Sequence, residues 1–209
     1  MKKDLMFELS VNDSLKIRVY EDKNYDTLIE DCHIYLIDNE KEKKLLQHSF
    51  VYEFGLQMFQ RLYNIYDYED KVEIDKYLED ILNIDHTIED FDAYIQSEQC
   101  AIDSYNYDKY VFVHCSHHYI LLLYKRNEKY IFSIVKNSQH KIKRTYKSKL
   151  LCTYELSKEQ IIDWREKVTK EFSIRKRKEF ERVYGKISNH SWNKIIDSFK
   201  DEKKFYWEL

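Results

Sequence analysis

The sequence contains no proline, two glycines (Gly55 and Gly185) and two alanines (Ala93 and Ala101). Average usage would place about 15 glycines and about 10 prolines in a chain of this length. A phosphate-cradling loop needs glycine, because its backbone must approach the phosphates closely and adopt positive φ. Two isolated glycines cannot build a Walker A loop, a Rossmann fingerprint or the glycine-rich loop of a kinase. The Gly-x-Ser-x-Gly nucleophile elbow is absent too. Glycine, proline and alanine have GC-rich codons, and lysine, isoleucine, asparagine, aspartate and tyrosine are abundant instead. An AT-rich bacterial, phage or viral genome is the simplest source of that bias.

Other absences narrow the setting. No run of 18 apolar residues occurs, so no transmembrane helix is expected. The start, Met1-Lys2-Lys3-Asp4-Leu5, carries no long apolar stretch and does not read as a signal peptide. The four cysteines (Cys32, Cys100, Cys115 and Cys152) show no Cys-x-x-Cys spacing, which suits reduced thiols in a cytoplasmic protein. No helix-turn-helix signature, RNP motif or zinc-finger spacing is present. The close Arg–His spacing of HEPN-type ribonucleases is missing as well, since Arg182 and His190 lie too far apart. No cofactor is expected.

What is present suits a folded chain. Hydrophobic residues make up 43% of the 209, which is enough to form a core. Leu5, Phe7, Leu9 and Val11, then Leu15, Ile17 and Val19, alternate with polar residues as in a hairpin turning at Asn12–Ser14. A third strand over residues 32–37 follows. Asn39 reads as the cap of a helix starting at Glu40. Phe54, Met58, Leu62 and Ile65 recur at helical spacing, and further helices are expected near 72–83 and 88–97. Residues 110–113, 119–124 and 130–135 read as a three-strand meander turning at Arg126-Asn127-Glu128, with a fourth strand over 150–156. Their near-continuous apolar runs predict strands covered on both faces.

Ser157-Lys158-Glu159-Gln160 is a capping box, and the helix behind it carries Ile161, Trp164, Val168 and Phe172 on one stripe. A last helix is expected near 189–204. The class is therefore α+β: an N-terminal hairpin or small sheet, central amphipathic helices, an antiparallel meander and C-terminal helices. No linker composition or internal repeat divides the chain. A single domain over 1–209 is expected, with two packed lobes, 1–105 and 106–209, as the alternative.

Charge is segregated. Residues 67–103 hold 13 acids against Lys71 and Lys76, whereas residues 129–154 hold seven bases and no acid. Arg175-Lys176-Arg177-Lys178 adds a second basic cluster. The formal net charge of −3 conceals this polarity. Solvated surface faces explain such runs in structural terms. In functional terms, Glu69, Asp70, Glu73, Asp75, Tyr77, Glu79, Asp80, Glu89, Asp90 and Asp92 would form an acidic face for another protein, such as a nuclease or toxin. Charge would steer that association, and tyrosines including Tyr66 and Tyr68 would anchor it. This is the leading expectation: a small cytoplasmic inhibitor of the immunity or anti-defence type, with no enzymatic activity.

The alternative is a nucleic-acid-binding accessory protein. It would track phosphates with Lys141, Lys143, Arg144, Arg175, Lys176, Arg177 and Lys178, and Tyr130 or Tyr146 would stack on bases. A metal-dependent enzyme is the third reading. In His114-Cys115-Ser116-His117-His118, strand alternation splits the ligands between two faces, so His114, His117 and His118 could meet only across a turn. The carboxylates from Asp67 to Asp75 could hold Mg²⁺, although no strand pattern supports them. A Cys/His nucleophile pair has no local signature, and a buried inert thiol is the simpler account.

Overall fold

A computed structural model of the chain describes residues 3–22, 32–48, 54–68, 109–115, 119–140 and 145–200. These residues form an α+β fold with two four-stranded antiparallel sheets and three helices. The chain divides into two compact units: residues 1–64 with 157–209, and residues 65–156. The second is continuous in sequence and interrupts the first. The lobe boundary expected near 105 lies outside the described residues.

The first unit holds a meander of β1 (Lys3–Ser10), β2 (Leu15–Asp22), β3 (Cys32–Asp38) and β4 (Lys41–His48), in that spatial order. The first hairpin turns where expected. The Asn12 side-chain oxygen accepts from the backbone N–H groups of Ser14 (2.9 Å) and Leu15 (2.8 Å), which closes the loop. Leu9, Ile17, Val19 and Ile34 are fully buried along the sheet.

The expected helix at Glu40 is instead strand β4. Asn39 and Glu40 both have positive φ (47° and 65°) and form the two-residue turn between β3 and β4. Asparagine enters the left-handed region more readily than other non-glycine residues, so it serves here as a turn residue rather than a cap. The Lys41–Lys44 segment is charged and exposed because β4 is the sheet edge, where lysines discourage further pairing.

Helix α1 (Gly55–Tyr63) buries Met58, Phe59 and Leu62, with Phe54 at its start. Ile65 lies beyond its end. Helix α2 (Lys158–Tyr184) begins with the expected capping box: Ser157 Oγ accepts from Gln160 N (3.2 Å), and Gln160 Oε1 accepts from Ser157 N (2.9 Å). Gln160 Nε2 also donates to the Ser10 and Val11 carbonyls, so the cap fastens α2 to the first hairpin. Ile161, Trp164, Val168 and Phe172 are all buried, each worth about 1.5–3 kcal/mol over exposure. Trp164 Nε1 donates to the Ser10 carbonyl, and Arg165 donates twice to the Leu62 carbonyl at the end of α1. Phe172 stacks on Phe59 of α1, with ring centroids 4.9 Å apart.

Gly185 ends α2 with φ 82° and ψ 179°, a region essentially reserved for glycine. Helix α3 (Asn189–Ser198) is shorter than the expected 189–204, and it buries Trp192 and Ile196. Trp192 Nε1 donates to Ser173 Oγ of α2 (2.9 Å).

The second unit holds β5 (Val111–Cys115), β6 (Tyr119–Arg126), β7 (Lys129–His140) and β8 (Thr145–Leu156), again a meander in spatial order. Asn127 and Glu128 turn β6 into β7 with φ 51° and 63°. Ile120–Tyr124 are all buried, as the apolar runs predict. Residues 66–68 run beside β6, where Tyr68 N donates to the Lys125 carbonyl (2.7 Å) and Lys125 N donates to the Tyr66 carbonyl (2.8 Å). A run of hydroxyls links Tyr124 to Ser133 (3.2 Å) and Ser133 to Thr153 (3.1 Å) across β6, β7 and β8. No described helix is long and apolar enough to cross a membrane.

Candidate nucleic-acid interface

The residues of the acidic face, from Glu69 to Asp92, lie outside the described residues. So do the helices expected near 72–83 and 88–97. Tyr66 and Tyr68, expected as partner anchors, are partly buried against Tyr110, Ile120, Leu122 and Tyr124. Tyr68 sits 5.2 Å from the Tyr110 ring and 5.3 Å from the Tyr124 ring, centroid to centroid. They help to close the core of the second unit.

Of the metal candidates, His117 and His118 lie outside the described residues. His114 is placed only as a backbone position in β5, opposite Ile120. No group of three potential ligands is assembled among the described residues. The aromatic tail from Phe205 to Trp207 also lies outside them, as do Cys100 and the Asp70–Asp75 carboxylates. Cys32 is buried and Cys152 half-buried.

The first unit contains one buried ionisable pair. His33 Nε2 lies 2.8 Å from Asp22 Oδ2, and both side chains are almost wholly buried. His33 Nδ1 has no hydrogen-bond partner among the described residues. The pair fixes the end of β2 against β3.

The basic cluster of α2 is largely consumed by its own neighbours. Arg175 lies 3.0 Å from Glu21 of β2, and Lys176 lies 2.8 Å from Glu179. Arg177 pairs with Glu181 (2.8 Å) and donates to Asn189 Oδ1 (2.8 Å) and the Ile187 carbonyl (2.7 Å). It thereby ties the end of α2 to the start of α3. Hydrogen bonds from Arg177 and from the Ile187 backbone hold the Glu181 carboxyl below its ordinary pKa. Lys178 alone of the four is exposed.

The other basic block has a different geometry. Among the described residues, strand β7 pairs with β6 only from Lys129 to Lys136. Its last four residues, Asn137–His140, pair with β8 alone, opposite Thr145–Ser148. The sheet therefore ends in a two-stranded ribbon, joined through the sequence Lys141-Ile142-Lys143-Arg144, which lies outside the described residues.

Register decides what that ribbon presents. Ile134 pairs with Cys152 but Val135 pairs with Leu150, which leaves Leu151 unmatched on β8. This bulge shifts the alternation of β8 by one residue. Below it, Lys149 stands opposite Lys136, and Lys147 stands opposite Ser138. All four are exposed and share one face. The other face carries Asn137 and Ser148, both buried and joined by a 2.7 Å hydrogen bond. Ser138 Oγ donates to the Lys147 carbonyl (3.1 Å) and so pins the two strands.

None of Lys136, Lys147 and Lys149 has an ion-pair partner among the described residues. At the far end of the strands Lys129 is paired, with Glu155 at 2.8 Å. Tyr130 has Lys125 Nζ 5.6 Å from its ring centroid. Tyr146 is placed only as a backbone position opposite Gln139. Of the seven expected contact residues, Lys141, Lys143 and Arg144 are outside the described residues, and Arg175, Lys176 and Arg177 are tied into the first unit. The exposed lysines were part of the same basic block, but no sequence signal singled them out. Their common face depends on the unmatched Leu151, and the only local hint is the exposure of adjacent leucines on a strand.

The chain matches no family model, no curated protein and no solved structure.

Proposed function

We propose that this protein binds nucleic acid through the lysine face of β7 and β8. The observation that carries the reading is Lys136 directly opposite Lys149, with Lys147 on the same exposed face. Like charges directly opposed across strands are destabilising, so their stacking calls for an anionic occupant. Lysines on an edge strand guard against aggregation, which accounts for Lys147 and Lys149. It does not account for Lys136, because β7 lies between β6 and β8. Each lysine that meets a phosphate releases a counterion, giving about 0.9 of salt slope per contact on duplex DNA.

The test is fluorescence anisotropy with labelled nucleic acid across a salt series. Replacing Lys136, Lys147 and Lys149 together by glutamine should lower the slope by about 2.7. Between 50 and 200 mM salt the native protein should then lose about 40-fold more affinity than the variant. Equal slopes for the two proteins would remove the reading.

The 13 acids of residues 67–103 support a second reading, inhibition of a basic protein partner such as a nuclease or toxin. Charge reversal of several acids between Glu69 and Asp92 should then abolish pull-down of that partner.

A further inference from the structure

We infer that the occupant is duplex DNA in the B form, with the lysine face of the β7–β8 ribbon lying flat in its major groove. The inference rests on the nucleic-acid reading above and narrows it to one ligand. Three features of the ribbon carry it.

The first is size. Two paired strands lie about 4.8 Å apart and measure about 10 Å across with their outer backbone atoms. The major groove of B-form DNA is about 12 Å wide and about 8.5 Å deep, which admits such a ribbon. The A-form major groove is too narrow and deep for it.

The second is clearance. Four residue pairs, Asn137–His140 with Thr145–Ser148, extend past β6 among the described residues. At about 3.3 Å per residue this stretch is about 13 Å long, which matches about four base-pair steps along a groove. On its other side β8 is the edge of the sheet among the described strands. The phosphate walls of a groove would therefore meet no neighbouring strand there.

The third is the division between the faces. Asn137 and Ser148 are buried on one face, while Ser138 and Lys147, with Lys136 and Lys149 at the base of the ribbon, are exposed on the other. A ribbon backed by its own protein on one side can offer only the other side to a ligand. The offered positions carry ammonium groups and a hydroxyl, which suit guanine O6 and N7 edges and flanking phosphates. None of these four positions carries an aromatic ring, whereas single-strand binding depends on stacking platforms.

The experiment compares four probes with the full-length protein at one salt concentration: a 20-base-pair DNA duplex, the RNA duplex of the same sequence, one DNA strand, and inorganic polyphosphate. DNA duplex should bind at least tenfold tighter than any of the others. Dimethyl sulfate footprinting should show guanine N7 protected, and the protection should vanish in K147Q/K149Q. Unchanged circular dichroism would establish that this variant is folded. Equal affinity for DNA and RNA duplexes, a preference for single strands, or unprotected N7 would overturn the groove assignment. If such binding still weakens in K147Q/K149Q, the broader nucleic-acid reading survives. Binding that does not depend on the lysines overturns both.

Discussion

The two sheets arrange the charge on their strands in opposite ways. In the first, Glu8 stands between Lys16 (3.1 Å) and Arg18 (2.6 Å), and Arg18 reaches Glu42 of β4 (3.6 Å). Tyr20 adds a hydrogen bond to Glu42 (3.2 Å). Every cation on that stretch of β2 has an acid beside it. In the second, Lys136 faces Lys149 with no acid alongside among the described residues. A balanced ladder satisfies itself within the fold, and a one-signed ladder leaves its field for something outside. The same distinction separates the two basic clusters. Arg175, Lys176 and Arg177 of α2 are spent on acids of the first unit, whereas Lys136, Lys147 and Lys149 have no acid beside them among the described residues.

The comparison can be sharpened by substitution. The largest effect on stability should come from Asp22→Ala. It strands the buried His33 and should cost about 3 kcal/mol, read from urea unfolding. A cost near zero would mean that the pair does not fasten β2 to β3.

Glu8→Gln should cost about 1 kcal/mol, since the pairs it removes are only partly buried. Its pH dependence follows from the direction of its pKa. Burial alone would raise the Glu8 carboxyl, but hydrogen bonds from Arg18 and Lys16 outweigh it and hold the group below its ordinary value. A depressed carboxyl stabilises the fold above its unfolded pKa, near 4.3, and loses that contribution as pH falls through the folded value. The acid side of a melting-temperature profile should therefore be shallower in Glu8→Gln than in the native protein.

The triple lysine substitution provides the smallest stability effect and the opposite sign. Removing opposed like charges should leave stability unchanged or raise it by a few tenths of a kcal/mol, while nucleic-acid affinity falls. Loss of stability instead would place those lysines in the same structural category as Arg177.

Much of the fold was legible because its signals are local. The first hairpin, the capping box at Ser157 and the stripe from Ile161 to Phe172 each depend on residues close together in the sequence. The misreading at Asn39 has a local cause as well. A chain with two glycines must turn its hairpins with other residues, and it uses Asn-Glu at both 39–40 and 127–128. The second pair sat between obvious apolar strands and was recognised as a turn. The first preceded a lysine-rich edge strand, whose composition is also that of an exposed helix.

The candidate site was legible only as an excess of charge between residues 129 and 154. Composition and periodicity determined that this stretch is basic and carries strands over 130–135 and 150–156, because side-chain alternation and local charge are properties of the chain itself. The extension of both strands through Lys136 and Lys147–Lys149 was not read from them. Which lysines share a face was decided by pairing across β7 and β8. One unmatched residue, Leu151, reverses the phase of β8 and brings Lys147 and Lys149 beside Lys136. A bulge is a relation between two strands, set by how their buried faces fit together, so tertiary packing alone could select it.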